Sequence, residues 1–379
     1  MRNIFKKCQN KIFYSIIITT PVMSYSQENK KNEETKDSIE ENRLGQISFF
    51  QKEKTFYNNL YFSGYQNTYK VKLLDKNYYT TPNNITAYKE NYEDNGAMIS
   101  ETISYSFFKN HLLGFNLQYA SETNKLSISQ TINNTYSTTN DNYETTTKGF
   151  ENPIVFYGIR ILEQKREEKP LNLDLKIAFS PNVFESKTAV YATSASNRKE
   201  GTVASGNSNI AGGLTLSQNI SSFIWRTNLS ATYVSETKQK NTYTGYNNKV
   251  DAYPYFSIGG DGQYYFSEFI GLDFGLQLSF IPSRNKTYEN NGNSYDNSGN
   301  LQLKNSSIES YTVTKISLGL NLNPILNKFN LYIMINGYGA SDINMKVKYN
   351  QVGSISPEEN YKISENSSGE VILGIKLLF

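Results

Sequence analysis

From about Phe56 to Phe379 the sequence alternates apolar and polar residues with a period of two. The clearest run sets Ile270, Leu272, Phe274, Leu276, Leu278 and Phe280 on one face against Gly271, Asp273, Gly275, Gln277 and Ser279 on the other. Such a segment is a β-strand with one oily and one wet face. Leu113 to Tyr119, Leu171 to Phe179 and Ile316 to Leu322 repeat the scheme. A one-residue slip would exchange the faces, so each run strongly specifies its own orientation. Twelve runs are predicted, at about 57–74, 97–107, 112–128, 147–162, 171–180, 208–218, 222–235, 250–266, 269–281, 309–323, 329–343 and 367–379. In the first, Asn58 and Gly64 interrupt the apolar face of Leu60 and Phe62.

Short and long connections alternate along the chain. Phe108 to His111, Glu163 to Pro170, Asn219 to Ser221, Ser267-Glu268 and Pro324 to Lys328 are short. The stretches 75–96, 129–146, 181–207, 236–249, 282–308 and 344–366 are long and rich in Asn, Ser, Thr, Tyr and Gly. In an up-and-down antiparallel sheet this rhythm places every short turn at one end and every long loop at the other. Prolines agree, since Pro170, Pro181, Pro282, Pro324 and Pro357 fall in connections or at strand ends.

The first residues read as a secretory leader. Arg2, Lys6, Lys7 and Lys11 form a basic region ahead of the apolar stretch Ile12 to Met23, with Ser24 and Ser26 at a small-residue cleavage site. The expected division is a signal peptide over 1–26, a flexible Glu/Lys/Asn-rich periplasmic segment over 27–55 and a barrel over 56–379. The single cysteine, Cys8, would leave with the leader, so disulfides are not expected. Composition adds two exclusions. A net charge of +3 gives no electrostatic case for nucleic acid. With 30 Tyr and 21 Phe the chain is too aromatic for disorder, although its mean hydropathy is −0.57.

A secreted β-sandwich would also alternate. Strands of ten or more residues instead suit a tilted crossing of the hydrocarbon layer. Aromatic residues crowd the short turns, as at Phe107-Phe108, Phe223, Trp225, Tyr264 to Phe266, Phe269 and Phe329, in the manner of an interfacial girdle. The chain closes on Val371, Leu373, Ile375, Leu377 and Phe379. This terminus resembles the last strand of bacterial outer-membrane β-barrel proteins of the porin or channel type. The resemblance implies an all-β, antiparallel up-and-down transmembrane barrel in the bacterial outer membrane, with lipid as its surroundings. It also implies that Leu373, Ile375, Leu377 and Phe379 form a signal read by the barrel assembly machinery. The Asn, Lys, Ile and Tyr bias is similar to that of low-GC Bacteroidetes proteins. Glu101 fits badly, because it shares the apolar face of Ile99, Ile103 and Tyr105. A place near the outer rim or a bulge would explain it.

In a closed barrel the backbone satisfies itself, so chemistry falls to lumen side chains and loops. The inferred lumen charges are Arg160, Asp174, Lys176, Arg226, Asp261, Asp273, Lys315, Glu370 and Lys376. Two readings stand, a polar channel whose charges orient a small solute, or ion pairs that brace the interior. Gly213, Thr215, Ser217, Gly271 and Gly275 leave space for an open lumen, which Tyr255, Tyr265, Tyr332 and Tyr338 would narrow. No catalytic residue, cofactor or metal site is expected. The one histidine, His111, falls in a short turn without a nucleophile in a supporting motif, and Glu93-Asp94 in a loop offers at most weak Ca²⁺ binding. The expected role is passive passage of small hydrophilic solutes. The alternative is a surface binding or structural protein acting through its long loops, with no expectation about oligomeric state.

Overall fold

The computed structural model describes residues 54–379 apart from 77–84, 109, 133–134, 165–170, 189–199, 221, 242–246, 290–301 and 326–327. The expected leader and nearly all of the 27–55 segment lie outside the described residues. The elements in order are β1 (Thr55–Lys76), β2 (Ile85–Phe108), β3 (His111–Ile132), β4 (Thr135–Phe150), β5 (Ile154–Leu162), β6 (Asn172–Ser180) and β7 (Lys187–Thr188). There follow β8 (Asn209–Ile220), β9 (Phe223–Val234), β10 (Thr237–Asn241), β11 (Asn247–Val250), β12 (Tyr253–Tyr265) and β13 (Ile270–Ile281). The last six are β14 (Arg284–Tyr288), β15 (Leu303–Ile308), β16 (Tyr311–Ile325), β17 (Phe329–Ala340), β18 (Ile343–Tyr349) and β19 (Glu358–Leu378).

These segments build a closed antiparallel barrel of 12 strands. Each predicted run is one strand of its wall, and neighbours in sequence pair with one another. β19 returns to pair with β1 in a register that sets Leu60 against Ile375 and Phe62 against Leu373. Phe56 and Phe379 close the seam with two backbone hydrogen bonds, of 3.1 and 2.9 Å.

The long connections differ from expectation, because much of what read as loop is strand. β2 begins at Ile85, not at 97; β10, β14 and β15 lie within stretches expected to be irregular, and most of β4, β11 and β18 does too. They extend the wall well past the apolar band. In this upper part the faces are exchanged. Side chains such as Tyr92, Leu126, Ile281, Val313, Ile343 and Tyr361 point inward and are buried in one core. The outward side carries ion pairs instead, including Lys346 to Glu358 at 2.6 Å, Lys362 to Asp342 at 2.6 Å and Lys148 to Glu200 at 2.8 Å. Exposed pairs of this kind contribute little stability, at most about 1 kcal/mol each, but they identify the side that faces water.

The exchange is built into the backbone. Inward positions normally recur every second residue, yet Val234 and Thr237, Ile281 and Arg284, Ile308 and Tyr311, and Ile363 and Asn366 are all buried three apart. Each of these strands slips its inward phase by one residue. Across β9 and β12, and across β13 and β16, both partners slip together and the register is the same on either side, whereas in β19 the slip is a β-bulge with one extra residue. In β19 the extra residue is Glu365, whose φ of 52° is left-handed, and the pairing with β1 shifts register there. The breaks in β9 and β12, and those in β13 and β16, lie opposite one another, so they form a belt along the upper edge of the apolar band. At the level of the belt β1, β2 and β3 run through unbroken, and there the inward residues simply change from polar to apolar.

Below the belt the outward face is greasy. Leu214, Leu229, Ile258, Leu276, Ile316 and Leu373 are each between 44% and 60% exposed. A soluble monomer does not expose a continuous apolar girdle of this extent. With the strands of this band paired on both sides among the described residues, this is the surface of a protein that crosses a bilayer, as outer-membrane barrels do. The protein is therefore placed in the bacterial outer membrane, short turns toward the periplasm.

Glu101 is an exception to the pattern, for neither of the expected reasons. It pairs with Leu60 and Leu117 in an unbroken register, between Ile99 and Ile103 on the apolar face. Asn58, also outward, donates to its carboxylate at 2.7 Å. Replacing Glu101 by Ile should raise stability by about 1 to 2 kcal/mol, because a carboxylate among lipid-facing residues carries a cost that one amide offsets in part. Denaturant midpoints in lipid vesicles would measure this, and a loss of stability would contradict it.

Candidate functional site

The barrel interior below the belt is polar, and hydrogen-bond register arranges its side chains in rows across the strands. One row runs through Arg160, Asp174, Thr215, Asn228, Gly259 and Gln277 to Lys315. The next, nearer the short turns, contains Ser217, Arg226, Asp261, Gly275, Ser317, Asn336 and Glu370. The rows enclose a chamber of about 240 Å³.

Eight of the nine inferred lumen charges line this chamber, namely Asp174, Lys176, Arg226, Asp261, Asp273, Lys315, Glu370 and Lys376. The ninth, Arg160, grips Asp174 through two nitrogens, at 2.7 and 3.0 Å, and both side chains are buried. Arg226 donates to Asp261 at 2.7 and 3.0 Å, and Asn228 adds a third bond at 2.9 Å. Asp273 accepts from Gln263 and Asn321, while Glu370 accepts from Asn336 at 2.9 Å and Tyr338 at 3.1 Å. The lysines instead lie over aromatic rings, Lys176 at 4.2 Å from Phe156, Lys376 at 4.9 Å from Tyr332 and Lys315 at 5.5 Å from Tyr338. The bracing reading thus describes the two arginines, whereas the lysine ammonium groups stay directed at the cavity. Tyr255, Tyr332 and Tyr338 line the chamber, and Tyr265 packs on Ile224 near the short-turn end.

The lumen is not open from end to end. In a water-filled pore, inward side chains would keep solvent exposure, yet Ser63, Ser100, Gln263 and Asn321 have none. Above the belt the apolar core fills the bore. Tyr69 and Tyr92 stack there at 4.7 Å, and two buried carboxylates serve as shared acceptors. Glu90 receives the hydroxyls of Tyr88 and Tyr92, and Glu359 those of Tyr349 and Tyr361. Burial, followed by the Glu90 charge, pushes the Tyr88 and Tyr92 hydroxyls well above the usual tyrosine range, which keeps them as donors. Nothing in the sequence patterning announced this cap, because its apolar residues sit among Asn, Ser and Thr and out of phase with the membrane-facing runs.

The connection expected as a free loop over 181–207 is, in its described parts, built into the barrel mouth. Asn152 accepts from the backbone of Val183 and Phe184, at 3.1 Å each, and donates to the Asn207 carbonyl at 3.2 Å. Val203 packs on Met98 and Ala120 inside the wall. Gly206, at φ 70°, accepts from the Lys238 backbone, and a Cβ there would lie 2.3 Å from the Lys238 carbonyl oxygen. A side chain at this position is excluded both by conformation and by space.

Glu93-Asp94 is likewise not a loop. Both lie in β2 above the apolar band, Glu93 outward at 4.0 Å from Lys125 and Asp94 buried inside. Burial first, then the Glu122 and Glu93 carboxylates, raises the Asp94 carboxyl well above the ordinary range. Its contribution to stability is therefore present below about pH 4 and is lost as pH rises through the raised folded value. Asp94→Asn should match the native protein at pH 4 and exceed it by about 1 to 2 kcal/mol at pH 8, read from denaturant midpoints at the two pH values.

Leu373 on β19 and Phe379 just after it are 53% and 72% exposed, with Ile375 and Leu377 between them on the same face. His111 opens β3 at the short-turn end, its Nδ1 2.5 Å from the Tyr157 hydroxyl, within a cluster that includes Phe107 and Phe108.

No protein-family model matches the sequence, and no curated protein matches it. Solved structures do share its architecture. An outer-membrane channel from Pseudomonas putida F1 is 10% identical, with 86% of this chain and 96% of that one covered, at a TM-score of 0.45. The outer-membrane protease OmpT from Escherichia coli is 10% identical over 86% and 97% of the two chains, at 0.40. A FadL homologue from Pseudomonas aeruginosa is 7% identical over 86% and 90%, at 0.36. Channels and a protease stand side by side at these low scores, so function is argued from the site itself.

Proposed function

We propose that the protein is an outer-membrane channel or facilitator that lets small hydrophilic solutes cross by diffusion, without a covalent step. The observation that carries this reading is the chamber inside the membrane-spanning half, lined by four carboxylates, three lysines and Arg226 among small residues. Its volume of about 240 Å³ lies below the range of drug-sized ligand pockets, which suits solutes of a few heavy atoms. The aromatic cap closes the outer end, so passage requires that the cap yield. The loop-borne alternative has less support, because the described parts of the long connections belong to the wall. Periplasmic assembly machinery and lipid are the partners that the outward terminal strand would engage.

Purified protein in planar bilayers should show discrete but infrequent openings of small conductance. A barrel that inserts, as judged by protease protection of its strands, and never conducts would end the proposal.

A further inference from the structure

We infer that Lys176, Gly213 and Ser230 form a subsite for the carboxylate of a small organic acid, so that the chamber favours anionic solutes. The inference deepens the channel reading, yet its binding component stands without conduction.

Lys176 faces inward from β6, between Gly158 of β5 and Gly213 of β8. Neither neighbour has a side chain, and a Cβ at Gly213 would lie 3.3 Å from Ser230 Cβ, so no side chain on either flank competes for the ammonium. Gly213 in turn pairs with Ser230, and the same row continues to Ser257 and Ser279, whose hydroxyls are 2.8 Å apart. The Lys176 ammonium is buried and has no hydrogen-bond acceptor among the described residues. The carboxylates that might serve it are engaged elsewhere. Asp174, two residues along on the same face, is held by Arg160, and Asp261 by Arg226 and Asn228. A buried ammonium without an acceptor is unfavourable, and an entering anion supplies the missing partner.

One row above Lys176 the wall is apolar, with Phe156, Ala178 and Ala211 in one row and the Phe156 ring centroid 4.2 Å from the ammonium. A short hydrocarbon attached to the anionic group is therefore accommodated.

The test is saturation-transfer NMR and calorimetry of the purified protein in detergent, with butyrate as probe and the neutral butyramide as its control. Saturable binding of butyrate but not butyramide is expected, weakened at least tenfold in both Lys176→Met and Lys176→Gln. No butyrate binding by the native protein, or binding unchanged in both variants, would overturn the subsite. Displacement of butyrate by an equal concentration of chloride would overturn the organic-acid assignment. Bilayer recordings separate the two claims, since a protein that binds butyrate through Lys176 and never conducts keeps the subsite and loses the channel.

Discussion

Tyr255→Ala is expected to raise the time-averaged conductance of the barrel in planar bilayers at least tenfold. Tyr255 is 2% exposed and belongs to both compartments, packing into the apolar core above the belt while lining the chamber below. Removing its ring opens the cap where it meets the polar interior, and its directly paired inward neighbour, Thr232, is too small to refill the gap. Truncating a large buried aromatic costs about 3 to 5 kcal/mol, but the closed hydrogen-bond ladder is untouched, so the barrel should still form. Tyr288→Ala, inside the cap but not at the chamber wall, should weaken the core with a smaller rise in conductance. Equal conductance in native and Tyr255→Ala protein, with unchanged migration of the folded form on gels, would show that the cap is not the barrier.

The second large effect concerns the buried pair in the chamber wall. Arg160→Met should destabilise the protein by about 3 to 5 kcal/mol, because Asp174 is left as an uncompensated charge among buried neighbours. Adding Asp174→Leu to Arg160→Met should recover most of that loss, since apolar groups of similar volume often replace a buried ion pair at little net cost. Urea midpoints of the refolded single and double variants in vesicles would measure both. A double variant no more stable than the single would mean that the pair itself, and not the stranded carboxylate, sets the stability.

The sequence declared the wall far more clearly than what fills it. Ile270 to Phe280 alternates cleanly because one face meets lipid and the other meets polar side chains, and contrast of that kind is what periodicity detects. Strand number, direction and closure all followed from such runs. Beyond Ile281 the contrast inverts and the period slips by one residue, so Arg284 to Tyr288 and Leu303 to Ile308 read as loop although both are strand. Two of the inward groups there, Arg284 and Lys286, are cations, which sit against the rings of Tyr253, Tyr311 and Tyr288. In a linear sequence they look like surface residues. The nine lumen charges could be placed on the inner face by phase alone, but their partners could not. Arg226 and Asp261 are 35 positions apart in sequence, and only the register of β9 against β12 brings them together.

The belt where the faces exchange also fixes how the molecule rides in its membrane. An ordinary amphipathic wall can shift up or down by a residue pair and keep its pattern, but here each shift would carry ion-paired side chains into oil on one edge or leucines into water on the other. The barrel thus has a set draught, and bilayers thinner or thicker than its apolar height must deform around it at a cost of fractions of a kcal/mol per ångström. Folding yields should accordingly peak at one acyl-chain length and fall on either side of it.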